Sequence, residues 1–304
     1  MVTRDDVLRA REAIGAKVVR TPTLHSPDLG SHLKCELFQR TGSFKDRGAL
    51  NRVTALTPAE RERGVITISA GNHAQAVAWA AAQQQVDALV VMAKPAPDHK
   101  AAATQAYGAT VDRTPETWGD AFEHLDRLLD ETGRALVHPH EDPFVVAGAG
   151  TLALEIEEDV PGADAIVVGV GGGGLIAGIQ AAVGDRMRVV AVEPELSQAF
   201  HAAAAAGHPV TLEPSSIADG LNSPRFGALP FELCRDLERV LVSEDEITEA
   251  MRFLYARAKL AVEPAGAAAA AALLTEKVTG RNPVVVVSGG NVAPEIASGI
   301  LDFR

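Results

Sequence analysis

Five short aliphatic runs, separated by longer helix-forming stretches, restrict this chain more than any other feature. VITIS (65–69), ALVVMA (88–93), AIVVGV (165–170), RVVAVE (188–193) and PVVVVS (283–288) show little polar alternation. Strands of that kind need cover on both faces, which parallel sheets obtain from flanking helices. NHAQAVAWAAAQQQ (72–85), SEDEITEAMRFLYARAKL (243–260) and EPAGAAAAAALLTEKV (263–278) read as such helices, as does the alanine run HAAAAAG (201–207). Thr3 with Asp6 three residues on predicts a capping box for an opening helix. The pattern is α/β with parallel sheet. Pro-containing polar segments near 57–64 and 139–143 bracket one group of strands. The expected division is a large domain of 1–55 and 142–304, split by a smaller α/β domain of 56–141.

Charge and composition narrow the partners. Lys and Arg number 28 against 40 Asp and Glu, a net charge of −12. That sign repels phosphate backbones and anionic lipid, so neither nucleic acid nor a membrane surface is expected, although a local anion site is still allowed. An aromatic content of 4% argues against stacking platforms for single strands. Cys35 and Cys234 are too few for a disulfide framework or a zinc cluster. MVTRDDVLRAREAIG carries charge throughout, unlike a signal peptide, and no apolar run approaches the roughly 18 residues of a membrane helix. A soluble cytoplasmic protein acting on a small molecule is expected.

Ligands of open α/β sheets sit beyond the carboxyl ends of strands, where three motifs lie. In VGVGGGGLIAG (168–178), Gly171, Gly172, Gly173 and Gly174 join a strand to an apolar helix. Bare backbone N–H groups there can cradle a phosphate. Gly169, Gly171 and Gly174 also satisfy G-x-G-x-x-G, with Glu193 19 residues after Gly174, so a nicotinamide dinucleotide competes with other phosphate ligands. In SAGNHAQ (69–75), Ser69, Gly71, Asn72 and His73 could form a carboxylate nest at a helix start, or Ser69 or Asn72 could simply cap that helix. In SGGN (288–291), Ser288 offers a hydroxyl to a heterocyclic nitrogen, or belongs to a plain turn.

FQRTGSFKDRGAL (38–50) holds a fourth site. Lys45 in a partly dry pocket would lose its proton readily and form a Schiff base, with Phe44 against a flat ring. The alternative is a surface lysine paired with Asp46. An imine-forming amine, a phosphate cradle, a carboxylate nest and a hydroxyl for a ring nitrogen together suit pyridoxal phosphate carrying an amino acid. A nicotinamide cofactor leaves Lys45 and Ser288 unused.

KCELFQRTGSFKDRGAL, SAGNHAQ, AGAGTLALEI, VGVGGGGL, IADGL and SGGN, in that order, resemble the fold-type II pyridoxal-phosphate enzymes, closest to the serine/threonine dehydratase and serine racemase group. The resemblance implies pyridoxal 5'-phosphate on Lys45, Phe44 against its ring and Gly171–Gly174 around its phosphate. It also implies Asn72 near the ring hydroxyl and Ser288 at the pyridine nitrogen. Ser69, Gly71, Asn72 and His73 would hold the substrate carboxylate, in a homodimer that eliminates water from a 2-amino-3-hydroxy acid such as L-threonine or L-serine.

Some residues depart from the family's pattern. Racemases of the group carry a serine at the position of Ala70, serving as acid/base on the face opposite the lysine; its loss favours dehydratase over racemase. Asp46 is more typical of threonine synthases. Members with a divalent-cation site use a glutamate, a carbonyl and an aspartate; Glu193 and Ser197 match the first two, but Ala199 replaces the aspartate, so no metal is expected. Ala149 and His140 also differ from common residues, with substrate preference the expected consequence.

Overall fold

The computed structural model describes residues 1–301. Strands β1 (Thr23–Ser26), β2 (Ser31–Cys35), β3 (Val65–Ile68), β4 (Ala88–Val91), β5 (Thr110–Asp112), β6 (Ala135–Leu136), β7 (Ala165–Gly169), β8 (Arg188–Pro194), β9 (Glu238–Val242) and β10 (Pro283–Val287) form two sheets. One has the order β1-β2-β10-β7-β8-β9, the other β5-β4-β3-β6. Every pairing is parallel except that of β1 with β2 at the edge of the larger sheet.

The helices are α1 (Arg4–Ile14), α2 (Lys45–Thr54), α3 (Pro58–Arg63), α4 (Asn72–Gln84), α5 (Asp98–Ala106), α6 (Trp118–Thr132) and α7 (Pro143–Asp159). After them come α8 (Gly174–Val183), α9 (Ala199–Ala206), α10 (Ala228–Cys234), α11 (Glu244–Phe253), α12 (Pro264–Leu274) and α13 (Pro294–Ile300). The capping box of Thr3 and Asp6 opens α1.

The five aliphatic runs all become strands, and β7 and β10 are buried at every residue, as unalternating sequence requires. Alanine in α12 keeps that helix slim, so that Ala265 and the run from Ala267 to Ala272 pack into one core with Val167 of β7, Val190 of β8 and Val285 of β10. A second core joins Ala49, Leu50 and Val53 of α2 to Ala74, Val77 and Ala81 of α4 and to β3 and β4. Helix α2 therefore packs against the smaller sheet's helix layer while its first turn is held by the larger sheet. That position decides the chemistry of Lys45.

Candidate active site

Lys45 starts α2, and the end of β10 holds it there. The Phe44 N–H donates to the Ser288 carbonyl at 3.0 Å, and Ser43 forms an antiparallel bridge with Gly289. Lys45 Nζ donates to the Pro139 carbonyl at 3.0 Å and lies 5.1 Å from the centroid of the Phe44 ring. Burial lowers its pKa from 10.5 to about 8. Asp46 does not pair with it. That carboxylate turns inward to accept from the Thr41 N–H at 2.9 Å and from the Thr41 hydroxyl, and burial raises its pKa to about 6.

The glycines meet Lys45 from the larger sheet. Gly171–Gly173 form the turn between β7 and α8, and Gly174 is the first residue of that helix. Gly173 has φ of 94°, a left-handed conformation that favours glycine. A Cβ on it would come within 2.5 Å of the Phe226 ring. A Cβ on Gly171 would approach the Leu221 carbonyl at 3.0 Å, and on Gly172 or Gly174 would strike His140. Close packing on one side and bare N–H groups give this turn the form an anion such as a phosphate could occupy.

The SAGNH loop stands at the start of α4. No side chain caps that helix: Gly71 is its N-cap, and Ser69 Oγ instead accepts from the Gly71 N–H at 3.1 Å. The first-turn N–H groups are thus left for an outside acceptor such as a carboxylate. Asn72 reaches across to the larger sheet, donating to Glu263 at 2.7 Å and accepting from Asn291 at 2.8 Å. His73 turns away from this opening. Its ring is buried, Nε2 donates to the Val137 carbonyl at 2.9 Å, and burial, helped by Lys45, depresses its pKa to about 3. The histidine ring therefore braces the loop, and what position 73 offers a carboxylate is its backbone N–H.

Ser288 follows β10 directly, buried, with its hydroxyl 3.4 Å from the Ala265 carbonyl, a weak contact that leaves it open to a better acceptor. Glu263, Asn291, His138 and Pro139 belong to the site and were not expected there. Burial raises the pKa of Glu263 to about 7, so near neutrality it is poised between acid and carboxylate beneath Asn72. In sequence it is merely an acid before a Pro-led helix. His138 and His140 stack edge to face, with ring centroids 4.7 Å apart. Burial lowers the pKa of both, so neutral rings face the amine.

Residues 14–290 match the family described as pyridoxal-phosphate dependent enzyme. The chain is 39% identical over 321 aligned positions to the catabolic L-threonine dehydratase TdcB of Escherichia coli, covering 99% of this chain and 97% of that one. It is likewise 39% identical to an L-threonine ammonia-lyase of Thermotoga maritima, over 96% of this chain and 76% of the relative. Among solved structures, maize serine racemase superposes with a TM-score of 0.93 at 34% identity, covering 98% of this chain and 96% of that chain. A threonine deaminase from T.th. does so with 0.90 at 37%, covering 96% and 99%.

The chain belongs to the pyridoxal-phosphate-dependent enzyme family. Its α/β architecture is that of fold-type II members. The residues present fit the cofactor: an amine of lowered pKa, a turn whose glycines could not carry side chains, and a weakly engaged Ser288 hydroxyl. The Ser43 hydroxyl and His73 Nδ1, buried without partners, add unsatisfied polar atoms near the amine. The nicotinamide alternative fails on Glu193, which lies fully buried and accepts the N–H groups of Phe200 and His201, so no ribose could reach it.

Proposed function

We propose that the chain is an ammonia-lyase (dehydratase) acting on a 2-amino-3-hydroxy acid, with L-threonine and L-serine as substrates and a 2-oxo acid and ammonia as products. The observation that carries this reading is the Lys45 amine, lowered to about 8 and without a carboxylate partner, beside an uncapped helix start in which Ala70 replaces any second acid. The names of the dehydratase relatives support it.

Bound pyridoxal phosphate supplies the imine link and electron sink that acidify the substrate's Cα–H. Lys45 would anchor the cofactor and would take that proton as a neutral amine, a form its lowered pKa favours. Phe44 would lie against the cofactor ring, Asn72 near its hydroxyl and Gly171–Gly174 around its phosphate. Ser69, Gly71, Asn72 and the backbone of His73 would hold the substrate carboxylate. Ser288 would donate a neutral hydrogen bond to the ring nitrogen, giving a weaker sink than a carboxylate would. Elimination tolerates that because the departing β-hydroxyl carries the electrons away.

The likeness to maize serine racemase favours a second reading, interconversion of serine enantiomers. Ala70 weighs against it, since a methyl group cannot return a proton to the opposite face. We also read residues 56–141 as a small unit inserted into a large one of 1–55 and 142–304, in keeping with a second sheet confined to 65–136. A homodimer in the cytoplasm, without nucleic acid or membrane partners, completes the proposal. Among the described residues no helix is long and apolar enough to cross a membrane.

A panel of β-hydroxy amino acids, with 2-oxo acid and ammonia detected, tests the assignment. L-Threonine or L-serine should perturb the visible absorbance of the holoenzyme and yield equal amounts of both products. D-serine formed from L-serine faster than pyruvate would favour the racemase reading, and no spectral change with either substrate would remove both.

A further inference from the structure

Glu193 is the last residue but one of β8, at the strand end of the larger sheet that carries the glycine turn. The family resemblance places a divalent cation here, held by this glutamate, the Ser197 carbonyl and an aspartate at the position of Ala199. The residues present do not fit such an ion. Both oxygens of the fully buried Glu193 carboxylate are already engaged. Oε1 accepts the Phe200 N–H at 2.7 Å, while Oε2 accepts the His201 N–H at 2.9 Å and the His201 Nδ1–H at 2.6 Å. Ala199 has no side-chain oxygen to give, so one of the two anionic ligands is missing. A hard cation needs about six oxygens or more. A single carboxylate that already accepts three N–H donors is a poor start for such a shell.

We propose that His201 and the first turn of α9 replace the cation at Glu193, so that the enzyme neither binds nor needs a divalent ion there. The replacement has a structural reach. By fixing the Phe200 N–H, Glu193 sets the Phe200 ring, which stacks on Phe226 with centroids 4.3 Å apart and planes 10° from parallel. Phe226 in turn fills the space left by the absent Cβ of Gly173. The Glu193 box therefore props the phosphate turn through two stacked rings, the support that a bound ion would otherwise provide. His201 is a positioning residue, and its role is independent of the substrate preferred.

Thermal unfolding and elemental analysis of the holoenzyme test this without substrate. Wild type dialysed against EDTA, then titrated with CaCl2, MgCl2 or MnCl2, should hold one Tm throughout and carry only substoichiometric metal. H201A should lower Tm by about 2–4 °C and release pyridoxal phosphate several-fold more readily. A199D/H201A, which removes the imidazole and supplies the second anionic ligand, should gain a Tm that rises with Ca2+ and falls in EDTA. Stoichiometric EDTA-removable metal in wild type, an unchanged Tm in H201A, or no cation response in A199D/H201A would each overturn the proposal. None of these results touches the reaction assignment, which the product assay decides separately.

Discussion

Lys45 and Arg47 stand two residues apart on α2, and the fold treats their charges in opposite ways. Arg47 is fully buried and paired on every side. Its guanidinium donates to Glu36 twice at 2.8 Å and to Glu155 at 2.7 and 2.9 Å, with Thr151 at 3.2 Å and the Val19 carbonyl at 3.3 Å. Lys34, also buried, joins the cluster at 2.7 Å from Glu155. Lys45 has one carbonyl and an aromatic face. Two cations bring two carboxylates to the Arg47 cluster, whereas no acid is supplied to Lys45. A paired buried charge is inert and costly to break; an unpaired one sheds its proton and becomes a nucleophile.

Removing each side chain should separate chemistry from stability. K45A should lose the visible band of the bound cofactor and at least about 10³-fold in turnover, with its urea midpoint near that of wild type. R47A leaves Glu36 buried without its ion-pair partner and Glu155 with Lys34 alone, which should cost about 3–5 kcal/mol, read as a lower urea midpoint at unchanged slope. Equal stability losses in the two variants would erase the distinction, because Lys45 would then be structural.

The sequence shows the reactive half of this contrast and hides the structural half. Lys45 is legible because its neighbours and the later glycine turn form a combination that one cofactor uses in full. The five aliphatic strands are legible because unbroken Val and Ile runs have no other stable home in a soluble fold. SHLKC and ERVLV, which become β2 and β9, carry charge inside the run and lack that signature. Lys34 looks like a surface residue until Glu155, 121 residues later, arrives beside it. Glu263 is hidden for the same reason: its partner Asn72 comes from the other sheet. Local pattern exposes elements and motifs, while long-range ion pairs depend on topology that no local window contains. His73 marks the limit within a motif, since the residue type is right for a site and only its backbone faces the opening.

A smaller perturbation sharpens the same comparison at the phosphate end. G173A places a Cβ at φ of 94° and 2.5 Å from Phe226, whereas Gly162, at φ of 86°, has no atom within 4 Å of its would-be Cβ. Strain alone is common to both, about 1–2 kcal/mol. G173A should therefore weaken pyridoxal phosphate binding by about tenfold or more, measured by equilibrium dialysis, an added cost of at least about 1.4 kcal/mol. G162A should lose a little stability and leave binding unchanged. Matching affinities would mean that the turn tolerates a side chain and does not cradle the phosphate.

The smallest effect is a slope with pH. The Lys45 pKa is about 8 in the folded apoprotein against 10.5 for an ordinary lysine. Below about pH 8 both folded and unfolded chains hold the proton, and the full cost of burying the ammonium is present. Between about 8 and 10.5 the unfolded chain binds more protons, so stability rises with pH across that window. Asp46 and Glu263 titrate with raised pKa values of about 6 and 7, and carboxyls of that kind lose stability as pH rises toward those values. Subtracting a K45M variant removes their contribution. The urea midpoint of wild-type apoprotein should therefore gain on K45M from pH 7 to pH 10, and the rate of cofactor uptake should climb through pH 8 as the neutral amine appears. A difference that stays flat would mean the amine is as well solvated as a surface lysine, and the contrast with the buried, paired Arg47 would be one of exposure alone.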